Sequence, residues 1–301
     1  MRRKTKIILI SSIMTSTLAY TLISYAILSG VLSHKKKDLS CTPTKENLEY
    51  EDVSFSPRGY DLKLKGWYLP SKNSEKAIIF VHGINTNRLS SPDTLMIARD
   101  FVKNGFNVLM FDLRSCGASE GNLFSASYFE RFDVLGAYDY IHQEKSIAKK
   151  QIGILGFSMG GATTVLAASE DPTMTALVID SPFADARELV AQESAIATGL
   201  SEDLTKFFVP MVALMATYIH SIDLNFMVPE ERVKAIKSPL LIIHGTSDQR
   251  LHWTNGYRIY KNAPANSEFW KVENAAHTRS YKKDPKLYIE RVSKFFNQRF
   301  K

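Results

Sequence analysis

The sequence predicts an α/β protein: a mostly parallel eight-stranded sheet with helices on both faces, preceded by one membrane-spanning helix. Three observations carry that prediction. Five short apolar runs are each closed by small or polar residues, helical stretches lie between them, and an uninterrupted apolar segment opens the chain. At 301 residues with 45% hydrophobic content, the chain is long enough to bury one sizeable core.

The opening segment, "IILISSIMTSTLAYTLISYAILSGVLS" (7–33), holds 27 uncharged residues between MRRKTK and HKKK. That length crosses about 30 Å of hydrocarbon, and the basic flanks suit the headgroup layers. A cleavable signal peptide is the rival reading, but the apolar run continues past the nearest cleavage-like site, Ser24-Tyr25-Ala26. Cys41 follows charged residues rather than the apolar run, which argues against a lipid-modified cysteine. Residues 1–37 therefore read as an anchor and 38–49 as a polar tether to a domain over 50–301. Four basic residues precede the segment and three follow it, so the charge rule leans toward a single-pass protein whose body faces away from the cytoplasm.

Charge excludes one class of partner. Of the 38 basic side chains, seven flank the apolar segment, leaving 31 against 31 acidic ones. The net charge of +7 belongs to the anchor, and the neutral body offers no basic stripe for a nucleic acid. Two cysteines, Cys41 and Cys116, in unlike contexts imply no disulfide framework. No oligomeric state is legible.

"YEDVSFSP" and "DLKLKGWYLP" alternate with period two around a Pro-Arg-Gly-Tyr turn, as in an antiparallel hairpin. The five central runs are "KAIIFVHG", "GFNVLMFDLR", "KQIGILGFS", "TALVIDSPF" and "SPLLIIHGTSD", and "SEFWKVE" adds an eighth strand. Helical stretches over 92–104, 127–146 and 158–169 give the strand–helix alternation of a parallel sheet. Between about 184 and 236 the alternation lapses. "ELVAQESAIATGL" and "KFFVPMVALMATYIHSI" read as an inserted helical cap. Phe207, Phe208, Met211, Leu214, Met215 and Met227 either line an acyl pocket or form the cap's packing face.

Ligands of an open parallel sheet sit beyond the carboxyl ends of its strands, so the residues closing each run carry the chemistry. Gly156-Phe157-Ser158-Met159-Gly160 is G-x-S-x-G between a strand and a helix, the setting that lifts a serine hydroxyl clear of the sheet. Ser158 is the candidate nucleophile. It needs a base, and the base needs an orienting acid. His277, in the loop after the last strand, is the candidate base; His252 lies too near the preceding strand. Asp248, just past a strand, is the candidate acid, and Asp180, which ends another strand, is its rival. Backbone N–H groups of Ile84 and Met159 are the candidate oxyanion donors, with His82 shaping the turn. No Gly-rich phosphate loop or metal-ligand spacing appears, so no cofactor and no metal are expected.

Together, "VHGINTNR", "FDLRSCGASEG", "GFSMGG", "HGTSD" and "AAH" resemble the α/β-hydrolase family across about residues 50–300. They look closest to its small membrane-anchored bacterial branch, often described as serine-aminopeptidase-like or prolyl-oligopeptidase-like. The resemblance implies an α/β-hydrolase fold and two-step acyl transfer by Ser158, His277 and Asp248, on an acyl ester or a peptide. It gives Asp112 and Arg114 architectural rather than catalytic roles; Cys116 departs from the small residues common at its position. The ester is chemically easier to cleave, so esterase leads and peptidase follows. A non-catalytic, membrane-tethered binding module on the same fold is the reading from another class.

Overall fold

Residues 2–33, 35–91 and 93–300 are described by a computed structural model, the side chains of 2–4 excepted. Three basic side chains of the leading flank, Arg2, Arg3 and Lys4, thus lie outside the described residues, as do His34 and Pro92. In chain order the elements are α1 (Arg2–Leu32), β1 (Glu51–Phe55), β2 (Leu64–Leu69), β3 (Ala77–Val81), α2 (Thr94–Lys103), β4 (Asn107–Phe111), α3 (Glu130–Gln143), β5 (Ile152–Phe157), α4 (Met159–Glu170) and β6 (Ala176–Asp180). They continue with α5 (Ala186–Thr198), α6 (Glu202–His220), α7 (Pro229–Arg232), β7 (Leu240–Gly245), α8 (Thr254–Asn262), β8 (Glu268–Val272), α9 (Ser280–Lys283) and α10 (Pro285–Arg299). The described chain forms two compact units. One comprises His34–Asp185 with Met227–Lys301, the other Met1–Ser33 with Ala186–Phe226.

The larger unit holds one eight-stranded sheet in the order β1-β2-β4-β3-β5-β6-β7-β8. β1 and β2 pair antiparallel, as do β2 and β4; every other pairing is parallel. The central strands are buried along their whole length, which is why their sequences run apolar without alternating. On β5, a Cβ at Gly153 would strike the Phe296 ring of α10, while one at Gly156 would strike Gly160 and Thr164 of α4. Residues three apart on a strand face opposite ways, so α10 and α4 cover opposite faces. Phe101, Phe106, Phe296 and Phe300 pack edge to face and stacked on the α10 side.

The stretch read as a tether is seated on this unit over part of its length. Leu48 is buried and Leu39 and Cys41 pack against the core. The Asn87 amide donates to the carbonyls of Lys37 and Asp38, at 3.1 Å each, and Arg99 pairs with Glu46 at 2.6 Å.

The smaller unit is helical. The second half of α1 carries a contact face at four-residue spacing, Tyr20, Ser24 and Leu28, with the last two buried. α6 buries Thr205, Phe208, Val209, Val212 and Ala216. The Tyr20 ring lies 5.3 Å from Phe208 and 5.1 Å from Phe207, and its hydroxyl donates to the Phe207 carbonyl at 3.0 Å.

Candidate active site

At the carboxyl end of β5 the chain must pass from strand to helix in one residue. Ser158 makes that passage with φ 55° and ψ −123°, a conformation that costs a non-glycine residue on the order of 1–3 kcal/mol. Two glycines permit it. A Cβ at Gly156 would lie 2.4 Å from the Gly160 carbonyl oxygen, and one at Gly160 would lie 2.2 Å from that of Val81. The Ser158 N–H donates to the Asp180 carbonyl at 2.8 Å, fixing the turn to the neighbouring strand. The hydroxyl is left at the amino terminus of α4, where the helix dipole favours negative charge.

The structure brings Ser158, His277 and Asp248 together from three strand ends. His277 Nε2 lies 2.8 Å from Ser158 Oγ, and His277 Nδ1 lies 2.7 Å from Asp248 Oδ2. An ionised carboxylate can only accept, so Nδ1 carries the imidazole proton and Nε2 accepts from the serine hydroxyl. Asp248 Oδ1 accepts from the backbone N–H groups of Arg250 and Leu251, each at 2.9 Å. Burial alone would raise the Asp248 carboxyl, but the approach of His244 and the hydrogen bond and field of His277 outweigh it and hold the group well below the usual carboxylate range. The group therefore stays charged at any pH where the imidazole is a useful base.

His244 is a residue that sequence reasoning passed over. Fully buried on β7, it donates from Nε2 to the Leu251 carbonyl at 2.8 Å and stands 3.3 Å from Asp248 Oδ2. Its only sequence signal is its place in "HGTSD", where strand burial already accounts for it.

Asp180 has a different setting from Asp248. Its carboxylate accepts from the hydroxyls of Ser181 at 2.9 Å and Ser280 at 3.2 Å, with Tyr288 at 3.4 Å. Ser181 Oγ in turn accepts from the Thr278 N–H beside His277. Burial pushes the Asp180 carboxyl up to about 6, against the pull of these hydroxyls. A carboxyl whose folded value is raised weakens the fold as pH climbs from its unfolded value near 3.8 to about 6, and the loss then levels off. Asp180→Asn removes that loss. Relative to the parent, the variant should gain up to about 3 kcal/mol of unfolding free energy between pH 4 and pH 7.5. Parallel urea-midpoint curves for the two proteins over that range would contradict the buried charge.

The other residues singled out fall as follows. Gly83 lies against Ser158, close enough that a Cβ added to it would stand 3.2 Å from the serine Cβ; Ile84 comes next in the chain, and Met159 opens α4. His82 accepts from the Leu113 N–H at Nε2 and donates from Nδ1 to the Gly83 carbonyl, stitching the ends of β3 and β4 together. Asp112 is paired with Arg88 at 2.7 Å and Asp133 with Arg114 at 2.6 Å, all four buried. Cys116 is fully buried, and burial pushes its thiol up, away from reactivity. His252 is exposed and bonded to Thr254. Phe207, Phe208, Met211 and Met215 belong to the smaller unit; Phe207 is exposed, Phe208 buried, and the methionines half-buried.

Comparison with known proteins agrees with this fold. A family model described as the alpha/beta hydrolase fold matches residues 76–210. The uncharacterized protein YqkD of Bacillus subtilis is 27% identical over 247 residues, covering 80% of this chain and 77% of that protein. Among solved structures, the esterase Pf2001 of Pyrococcus furiosus superposes with a TM-score of 0.73 at 25% identity, covering 89% of this chain and all of that one. The acylaminoacyl peptidase of Pyrococcus horikoshii shares the fold, with a TM-score of 0.58 at 19% identity over 86% of this chain and 43% of that one.

Proposed function

We propose, from the premise that the chain belongs to the α/β-hydrolase superfamily, that it is a membrane-anchored serine hydrolase cleaving acyl esters. The observation that carries the reading is the unbroken hydrogen-bonded line from Ser158 through His277 to Asp248. In the reaction His277 Nε2 takes the hydroxyl proton as Ser158 Oγ attacks the carbonyl carbon. The carbonyl oxygen, now an oxyanion, is met by the N–H groups of Ile84 and Met159. Collapse breaks the bond to the alcohol, which leaves with the proton held by His277, and an acyl-serine remains. Water then attacks that ester with His277 again as base, releasing the acid and restoring the hydroxyl. Asp248 stays charged throughout, orienting the ring and stabilising its protonated form.

Ester leads over amide because the alcohol is the easier leaving group, and the likeness to an esterase is the stronger of the two structural comparisons. Peptidase is the second reading, since the acylaminoacyl peptidase is built on the same fold. Membrane attachment is supported by the 28 residues Thr5–Leu32, one helix long and apolar enough to cross a bilayer.

Full-length protein in detergent micelles, assayed on p-nitrophenyl esters of graded chain length beside aminoacyl p-nitroanilides, tests the assignment. Esters should turn over faster, and a fluorophosphonate probe should label the protein. Faster amide cleavage would make it a peptidase. Absence of labelling, with a control serine hydrolase labelled in parallel, would favour a binding module.

A further inference from the structure

The smaller unit keeps an apolar surface after its own packing is complete. On α6, at about 100° per residue, Thr205, Val209, Val212 and Ala216 form the buried face. A second face, polar, carries Glu202, Lys206, Thr217 and His220. Between the two runs a third stripe, Leu204, Phe207, Leu214 and Tyr218, exposed by 45%, 64%, 50% and 82%. Ile196 and Leu200, exposed by 69% and 45%, extend the apolar surface at the end of α5. A helix that is still amphipathic once its core face is covered is suited to a boundary between water and hydrocarbon.

Two further features fit a lipid-facing surface. Six hydroxyls of this unit return to its own carbonyls: Thr21 to Thr17, Ser24 to Tyr20, Ser194 to Val190, Thr198 to Ser194, Thr217 to Ala213, and Thr205 across to Ala191 of α5. Internal satisfaction is what a segment surrounded by hydrocarbon requires. Pro210, inside α6, lacks the N–H that would bond the Lys206 carbonyl one turn back and loosens the ladder there. The neighbouring Phe207 carbonyl accepts from the Tyr20 hydroxyl of α1, so the apolar stripe is tied directly to the span-length helix.

We propose that the α6 stripe is a second membrane contact, with Leu204, Phe207, Leu214 and Tyr218 against the acyl chains and Glu202 and Lys206 on the face turned away from them. The proposal rests on the reading of α1 as a membrane anchor. It makes anchor and cap one membrane-bound unit in place of a leash and a soluble insertion.

The test places an NBD fluorophore at Leu214→Cys, Tyr218→Cys or Lys206→Cys, on a Cys41→Ser background, in full-length protein reconstituted into phosphatidylcholine–phosphatidylglycerol vesicles. A 5-doxyl phosphatidylcholine quencher should act about threefold more strongly at 214 and 218 than at 206, because these positions lie on different faces of one helix. Equal quenching at the three sites overturns the proposal. So does protection of 214 and 218 from both the doxyl lipid and aqueous iodide, which would mark a protein-covered face between copies. Carbonate extraction separates the failures: a chain released from the vesicles removes the anchor reading as well, while a chain retained with an unquenched stripe removes this proposal alone. Turnover of a soluble ester in the same samples reports on the hydrolase reading independently.

Discussion

Ser158→Ala lowers the turnover of p-nitrophenyl acetate by about four to six orders of magnitude, the range expected when a nucleophile is removed from a triad that acts as a unit. The variant also fails to react with a fluorophosphonate. The fold is expected to survive. Alanine can occupy the same turn, because the strain at φ 55° comes from the backbone and is shared by both residues. What is lost is one hydrogen bond, Ser158 Oγ to His277 Nε2, worth about 1 kcal/mol net. Circular dichroism and the melting temperature should therefore stay close to those of the parent. A folded Ser158→Ala protein that turns over ester at the parent rate would remove the hydroxyl from the reaction and leave the imidazole without a partner to activate.

The sheet was legible because burial on both faces leaves a strong mark. Runs such as Ile152–Phe157 and Leu240–Gly245 carry no exposed position, so their sequences stay apolar until the chain reaches the site. The serine turn was legible for a local reason: Gly156 and Gly160 are demanded by atoms within a few residues of the turn or on the adjacent strand. Long-range choices were harder to read. Asp180 and Asp248 both follow apolar runs, and only the path of the 273–279 loop decides which one meets His277 and which one braces the loop from below. His244 carries no sequence mark beyond its place in a buried strand, because its contact with Asp248 depends on the turn at 245–248 folding back over it. The pairing of Tyr20 with Phe207 and Phe208 joins segments 187 residues apart, and neither segment alone signals the other.

Asp248→Asn should lower kcat by roughly 10⁴, the size of effect that follows when an imidazole is held in the wrong tautomer. The local hydrogen bonds dictate this result. The backbone N–H groups of Arg250 and Leu251 both point at Oδ1, so the asparagine keeps its carbonyl oxygen there and turns its amide NH₂ toward His277 Nδ1. A donor facing Nδ1 forces that nitrogen to accept, and the single ring proton moves to Nε2. Nε2 then has no lone pair for the hydroxyl of Ser158, and the chain of transfer stops at its first step. Asp180→Asn is the matched control, since it alters a carboxylate that reaches the loop through Ser181 and Ser280 and has no bond to the imidazole. Its turnover should remain within a few-fold of the parent while its stability shows the pH dependence derived above. A reversal, with Asp248→Asn fully active and Asp180→Asn inactive but folded, would transfer the orienting role to Asp180 and require the loop bearing His277 to move during catalysis.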